Sequence, residues 1–152
     1  MKQSGFTIIE LMMVIAIAGI LATFAGPSFT TMINNNRITT QTNQLILAIQ
    51  VARSEAVKRG RSVSVTATDG SDWGQGWNVI DENNAVIQNF GAIPSGMTMV
   101  SAGTKTSFIF SSGGDVNGSD TMTICKSGLQ GRNIIISSTG RTRLVSTGIT
   151  CS

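Results

Sequence analysis

The hydrophobic pattern of this chain changes period once. From Phe6 to about Ala25 apolar residues follow one another almost without a break, and no charged residue occurs between Leu11 and Asn36. A helix crossing the bilayer core needs roughly 20 mostly apolar residues, and Phe6–Phe29 supplies that length. Beyond it Ile38, Leu45, Ile46, Ile49, Ala52 and Ala56 recur at helical spacing, with Asn, Gln, Thr, Arg and Lys between them. That is an amphipathic helix with one face for a sheet to cover. Arg53, Lys58 and Arg59 gather near its end, which suits the negative end of the macrodipole, and Gly60 is the expected cap. Read as one helix, Phe6 to about Arg59 would run roughly 80 Å at 1.5 Å per residue, with a kink or local melting at Pro27.

After Gly60 the pattern alternates. Ser62–Ala67 places Val63, Val65 and Ala67 on one face of a strand. Trp77–Ile80 and Ala85–Gln88 flank Asp81-Glu82-Asn83-Asn84 and read as a hairpin. Ser107–Phe110, Thr121–Ile124, Asn133–Ser137 and Thr142–Val145 are further short strands, and no segment here reads as helical. The expected fold class is α+β, a long N-terminal helix on a small antiparallel β domain. Its parts are a leader at 1–5, a transmembrane half-helix at 6–29, an amphipathic half-helix at 30–60 and a β-rich globular domain at 61–152.

Composition adds little to that frame. The 152 residues suit one globular domain, about 90 of them remaining once the helix is set aside. The formal charge is +3 and falls to +2 without Lys2, but its distribution is uneven. Arg53, Lys58, Arg59 and Arg61 form one basic cluster, and Asp69, Asp72, Asp81 and Glu82 form an acidic stretch. From Cys125 onward Lys126, Arg132, Arg141 and Arg143 face no acid in the sequence.

Glu10 changes the picture more, because a charge inside an apolar span costs roughly 2.5–3.5 kcal/mol even on lenient insertion scales. In a lone helix it is expected to be unpaired, its natural partner being a cation on another copy of the same helix. An ordinary secretory signal cut after Ala25, at Thr23-Phe24-Ala25, and a plain membrane anchor are the competing readings.

Gly5-Phe6-Thr7-Ile8-Ile9-Glu10-Leu11, after the basic leader Met1-Lys2-Gln3-Ser4, resembles the start of type IV pilin and pseudopilin precursors. That resemblance implies that a prepilin peptidase cuts between Gly5 and Phe6 and methylates the Phe6 amine. It also implies that Glu10 pairs with the amino terminus of a neighbouring subunit as the filament assembles. Ala52-Arg53-Ser54-Glu55-Ala56, Trp73-Gly74-Gln75-Gly76-Trp77-Asn78-Val79-Ile80-Asp81, Phe110-Ser111-Ser112-Gly113-Gly114 and Gly140-Arg141-Thr142-Arg143 narrow it. They resemble the family that joins type II secretion pseudopilin H to the FimT and FimU minor pilins. Each string also has a structural explanation: Glu55 is placed to pair with Arg59, and the tryptophans to pack around a glycine turn.

Cys125 and Cys151 read as one disulfide in an exported protein, closing a loop of about 27 residues and contributing about 3.5 kcal/mol on the chain-entropy account. Two free buried thiols are the alternative.

Histidine is absent and the cysteines are committed, so nucleophile–base pairs cannot be assembled and an enzyme is not expected. Neither a metal nor a cofactor is expected; Asp115–Asp120 resembles a calcium loop only faintly, lacking its closing Glu and its Gly position. What remains is the basic tail. Arg141 and Arg143 lie two apart on an expected strand, hence on one face about 7 Å apart at Cα. Successive phosphates of a nucleic-acid strand are about 6–7 Å apart, for a rise of roughly 3.4 Å per nucleotide. Gly140 supplies the turn, and Arg132 and Lys126 are placed in the preceding loop. With no aromatic residue beside them, contact with double-stranded DNA would be electrostatic and sequence-independent. The Gly-Arg-x-Arg string resembles the tail of FimT-type pilins, which implies DNA capture in natural transformation, although FimU-type relatives carry a similar string. A strand edge guarded by positive charge is the structural alternative.

The functions to be separated are a minor pilin of a type IV pilus that supports assembly, the same scaffold binding DNA, and a type II secretion pseudopilin. The partners implied are other pilin and minor pilin subunits, the prepilin peptidase and the inner membrane. The implied location is a single-pass inner-membrane protein with its C-terminal domain in the periplasm, then the extracellular pilus near its tip.

Overall fold

The computed structural model describes residues 6–146 and 148–151, with the side chains of 23–28 excepted. The leader, including Gly5, therefore lies outside the described residues. The chain divides into two units, Met1–Asn35 and Asn36–Ser152.

Helix α1 spans Ile8–Arg59 and is continuous through position 27, so the expected melting there does not occur. In the first unit five consecutive apolar residues, Leu11 to Ile15, are all exposed. Five successive positions cover the whole circumference of a helix, so this segment is apolar all round and must be covered by something outside the chain. Among the described residues no helix is long and apolar enough to cross a membrane. The span expected over 6–29 is thus not established: its described side chains stop at Ala22 and resume at Phe29.

In the second unit α1 buries Ile38, Leu45, Ala48, Ile49, Ala52 and Ala56. Ile46 is only partly buried, and Ala48 takes the inward position instead. Thr42 is buried and donates its hydroxyl to the Ile38 carbonyl at 2.7 Å, which satisfies it inside the core. The helix ends in a Schellman motif: Gly60 has φ +64°, its N–H donates to the Val57 carbonyl, and Arg61 N–H donates to the Ala56 carbonyl.

Eight strands follow: β1 (Val63–Ala67), β2 (Trp77–Asp81), β3 (Val86–Phe90), β4 (Met97–Ser101), β5 (Ser107–Phe110), β6 (Asp120–Lys126), β7 (Arg132–Ile136) and β8 (Thr142–Val145). They form two antiparallel four-stranded sheets, in the orders β3-β2-β1-β5 and β4-β6-β7-β8. One apolar cluster joins the helix face to Val63, Val65, Trp77, Val79, Phe108 and Phe110 of the first sheet and to Met99, Met122, Ile124, Ile134 and Ile136 of the second.

Two elements depart from the expectation. Strand β4 was not expected, and its alternation places Met97 and Met99 inward. Trp73–Gln75 forms one 3-10 turn, capped by the Asp72 carboxylate accepting from Gly74 N–H. Trp73 and Trp77 are core residues: Trp73 Nε1 donates to the Lys105 carbonyl at 2.8 Å, and Trp77 stacks on Phe90.

Candidate functional site

Most basic residues of the second unit fall into two groups. Most of the cluster around the end of α1 is spoken for. Arg59 donates to Glu55 at 2.7 Å and lies 3.8 Å from Asp81, Lys58 lies 3.6 Å from Glu55, and Arg61 is paired with Glu82. The hydrogen-bonded Arg59 guanidinium holds the Glu55 carboxyl below its ordinary value of 4.5. Asp81 also accepts from the Asn83 and Ala85 amides, so the acidic hairpin tip is tied to the helix end. In the Asp115–Asp120 loop the Lys105 ammonium occupies the Asn117 and Gly118 carbonyls, and no metal-holding group of three occurs among the described residues.

The second group lies on the second sheet. Its edge strand β8 pairs with β7 in the register Ile136↔Thr142, Ile135↔Arg143, Ile134↔Leu144, Asn133↔Val145. Ile134 and Ile136 point into the core, so Ile135 and its partner Arg143 point out. The ladder continues one step beyond the strand: Ser137 N–H donates to the Arg141 carbonyl at 2.9 Å, and Arg141 N–H donates to Ser137 Oγ. Arg141 is thereby fixed on the same outward face as Arg143, and both are exposed. With Ile135, Ser137, Thr139 and Thr142 they line an open groove of about 460 Å³.

Arg132 and Lys126 are not part of this groove. The expectation that both lie in a loop is corrected: Lys126 ends β6 and Arg132 begins β7. Arg132 is paired with the buried Ile124 and has the inward parity of Ile134 and Ile136, at the far end of β7 from Arg141. Lys126 has the same parity on β6 and points toward Gly96. The alternation that unites Arg141 with Arg143 separates them from the other two.

Gly140, whose N–H donates to the Ser137 carbonyl, closes the turn with φ +73°. It is buried, and a Cβ placed on it would stand 2.5 Å from the Gly114 carbonyl oxygen and 3.3 Å from Arg53 Cδ. A Cβ on Gly114 would meet Arg53 Nε at 3.1 Å. Three strings scattered along the sequence, around Arg53, Gly114 and Gly140, therefore meet at one point. Arg53, expected near the helix end, lies against the turn that precedes Arg141.

The disulfide joins Cys125 to Cys151, 26 residues apart, beside the Gln130↔Thr150 bridge. It closes the end of the second sheet remote from the Ser137–Gly140 turn.

At the head of α1 Glu10 is not unpaired. Its carboxylate accepts from Thr7 N–H at 3.0 Å and from the Thr7 hydroxyl at 3.1 Å, while Glu10 N–H donates to Thr7 Oγ1. This is a capping box, and its Thr-x-x-Glu signature stands in the sequence at Thr7–Glu10. Phe6 is exposed.

The family model described as Type II transport protein GspH matches residues 41–140. The prokaryotic N-terminal methylation motif matches residues 1–26. A protein described as "Fimbrial protein", from Pseudomonas aeruginosa, is 36% identical over 66 residues, or 43% of this chain and 42% of that protein. The match thus spans less than half the length of that curated relative. The crystal structure of the type IV minor pilin FimU of Pseudomonas aeruginosa is similar with a TM-score of 0.66 at 26% identity, covering 74% of this chain and 90% of the other. The minor pseudopilin EpsH from the Type 2 Secretion System of Vibrio cholerae shares the fold, with a TM-score of 0.58 at 13% identity over 74% and 98% of the two chains.

Proposed function

Because the chain belongs to the Type II transport protein GspH family, we propose that it is a minor pilin which enters a type IV pilus and binds double-stranded DNA there through Arg141 and Arg143. The N-terminal methylation motif and the pilin fold mark a membrane-anchored component of the pilin and pseudopilin class, a structural protein and not an enzyme. Processing in this reading is cleavage after Gly5 and methylation of Phe6. The all-round apolar first half of α1 then lies in the inner membrane and, after assembly, among the helices of neighbouring pilins.

The observation that carries the DNA reading is the pair of outward arginines on one edge strand, Arg141 and Arg143. No carboxylate pairs with either among the described residues. The groove beside them is lined also by Ile135, Ser137, Thr139 and Thr142 and by no acid. Arginine presents a planar fork of donors to phosphate. Such a surface reads backbone and not bases.

The test is fluorescence anisotropy of a labelled duplex against the full chain in detergent micelles. Two phosphate contacts predict a slope of log K against log salt of about −1.8. Charge reversal at both arginines should abolish binding without a change in melting temperature, and cells carrying it should lose transformation more than piliation. Absence of binding at low salt would leave a second reading, favoured by the likeness to FimU: a structural subunit that primes assembly. A secretion pseudopilin role predicts defective secretion with intact piliation when the gene is deleted.

A further inference from the structure

Arg53 is a cation that neither the helix end nor the sheet accounts for. Its neighbours in sequence on α1, Lys58 and Arg59, share Glu55, and Arg61 has Glu82. Among the described residues Arg53 has no ion pair and no hydrogen bond to its guanidinium. The residue is half-buried, its stem running over two glycines that lack any side chain to compete with it. Both glycines have positive φ, +83° at Gly114 and +73° at Gly140, so the two turns are shaped to approach each other and the arginine.

The consequence is chemical. A guanidinium carries five N–H donors and no acceptor, and half-burial removes part of the water that would satisfy them. The position wants an anion with several oxygens, and a phosphate offers bidentate geometry. Gly140 stands one residue before Arg141, so the stem of Arg53 lies against the turn from which the strand carrying the arginine pair starts.

We infer that Arg53 is a third phosphate-binding residue, extending the DNA contact from the edge strand across the Gly114–Gly140 turns onto α1. The inference rests on the DNA reading above, and it makes the contact a path of three cations supplied by helix, turn and strand. It also gives the two glycines a role in the site: they leave room for the Arg53 stem against the turn that precedes Arg141.

The test uses the full chain in detergent micelles, the same labelled duplex, and Arg53→Gln, Arg53→Lys, Arg141→Gln and Arg61→Gln. The native chain should show a salt slope of about −2.7 for three contacts, against about −1.8 for two. Arg53→Gln should lose as much affinity as Arg141→Gln and lower the slope by about 0.9. Arg53→Lys should retain the slope, and Arg61→Gln, which removes a cation already paired, should bind as the native chain does. Melting curves check each variant, and the native slope does not depend on any variant folding. A native slope near −1.8, or Arg53→Gln binding normally while Arg141→Gln does not, overturns the inference and leaves the two-arginine reading standing. Equal loss in Arg61→Gln overturns it as a net-charge effect. No binding by the native chain removes both readings together.

Discussion

Replacing Gly140 by alanine tests the geometry on which the groove depends. Two penalties apply, and a second glycine separates them. Alanine held at φ +73° costs about 1–2 kcal/mol for the left-handed backbone. The new Cβ would also stand 2.5 Å from the Gly114 carbonyl oxygen, so one of the two turns has to move. Forced overpacking of this kind typically adds about 1–3 kcal/mol. Gly128 has φ +77° and nothing within 4 Å of its would-be Cβ, so Gly128→Ala carries the first penalty alone. At about 4 °C per kcal/mol for a domain of this size, Gly140→Ala should melt about 4–12 °C below Gly128→Ala. Thermal unfolding of the full chain in micelles, followed by circular dichroism and tryptophan fluorescence, reads the difference. Coincident melting of the two variants would refute the close approach of the turns. DNA affinity should fall in Gly140→Ala with no change of charge, because the turn that fixes Arg141 has shifted.

Three further outcomes follow from the same structure. Cys125→Ser should lower stability by about 3.5 kcal/mol on the chain-entropy account of the 26-residue loop, and reductant should then no longer affect melting; a native chain indifferent to reductant would contradict this. The Glu55 carboxyl titrates below 4.5 when folded, so its stabilisation is complete above that value and is lost as pH falls through the lowered one. Acid melting curves of Glu55→Gln should accordingly be flatter than native below about pH 4.5, and parallel curves would count against the Arg59 contact. Glu10→Gln keeps the capping box but removes the charge; we expect processing and membrane insertion to continue while the chain is absent from sheared pili, and normal incorporation would end the charge-pairing argument.

Period and punctuation made much of the fold legible. The helix end at Arg59 followed from Gly60 and the basic last turn, and β5 and β8 coincide with the segments expected from alternation. Strand β4 was hidden because Met97 and Met99, its two inward residues, are weak strand indicators that read as generic apolar filler. The site was half legible. Two-residue spacing put Arg141 and Arg143 on one face, but the same parity rule, applied to β6 and β7, would have excluded Lys126 and Arg132 had their strands been extended by one or two residues. The Glu10 cap is written in the Thr-x-x-Glu spacing of Thr7–Glu10, a local partner that competes with the intermolecular one the apolar span suggests. Nothing local in the sequence could have placed Arg53 beside Gly140, since that neighbourhood exists only once both sheets have closed on the helix.

The position of the disulfide also orders events in time. Cys125 lies at the end of β6, and Cys151 follows β7 and β8. If the domain is exported amino terminus first, as the proposed function implies, Cys125 enters the oxidising compartment first and finds no mate until both later strands have crossed. An oxidase acting early can leave only a mixed disulfide on Cys125, to be resolved by Cys151 afterwards. The bond is thus a late signature, recording that the arginine-bearing hairpin has been delivered, and chains interrupted within β7 or β8 would remain marked by an unresolved mixed disulfide on Cys125.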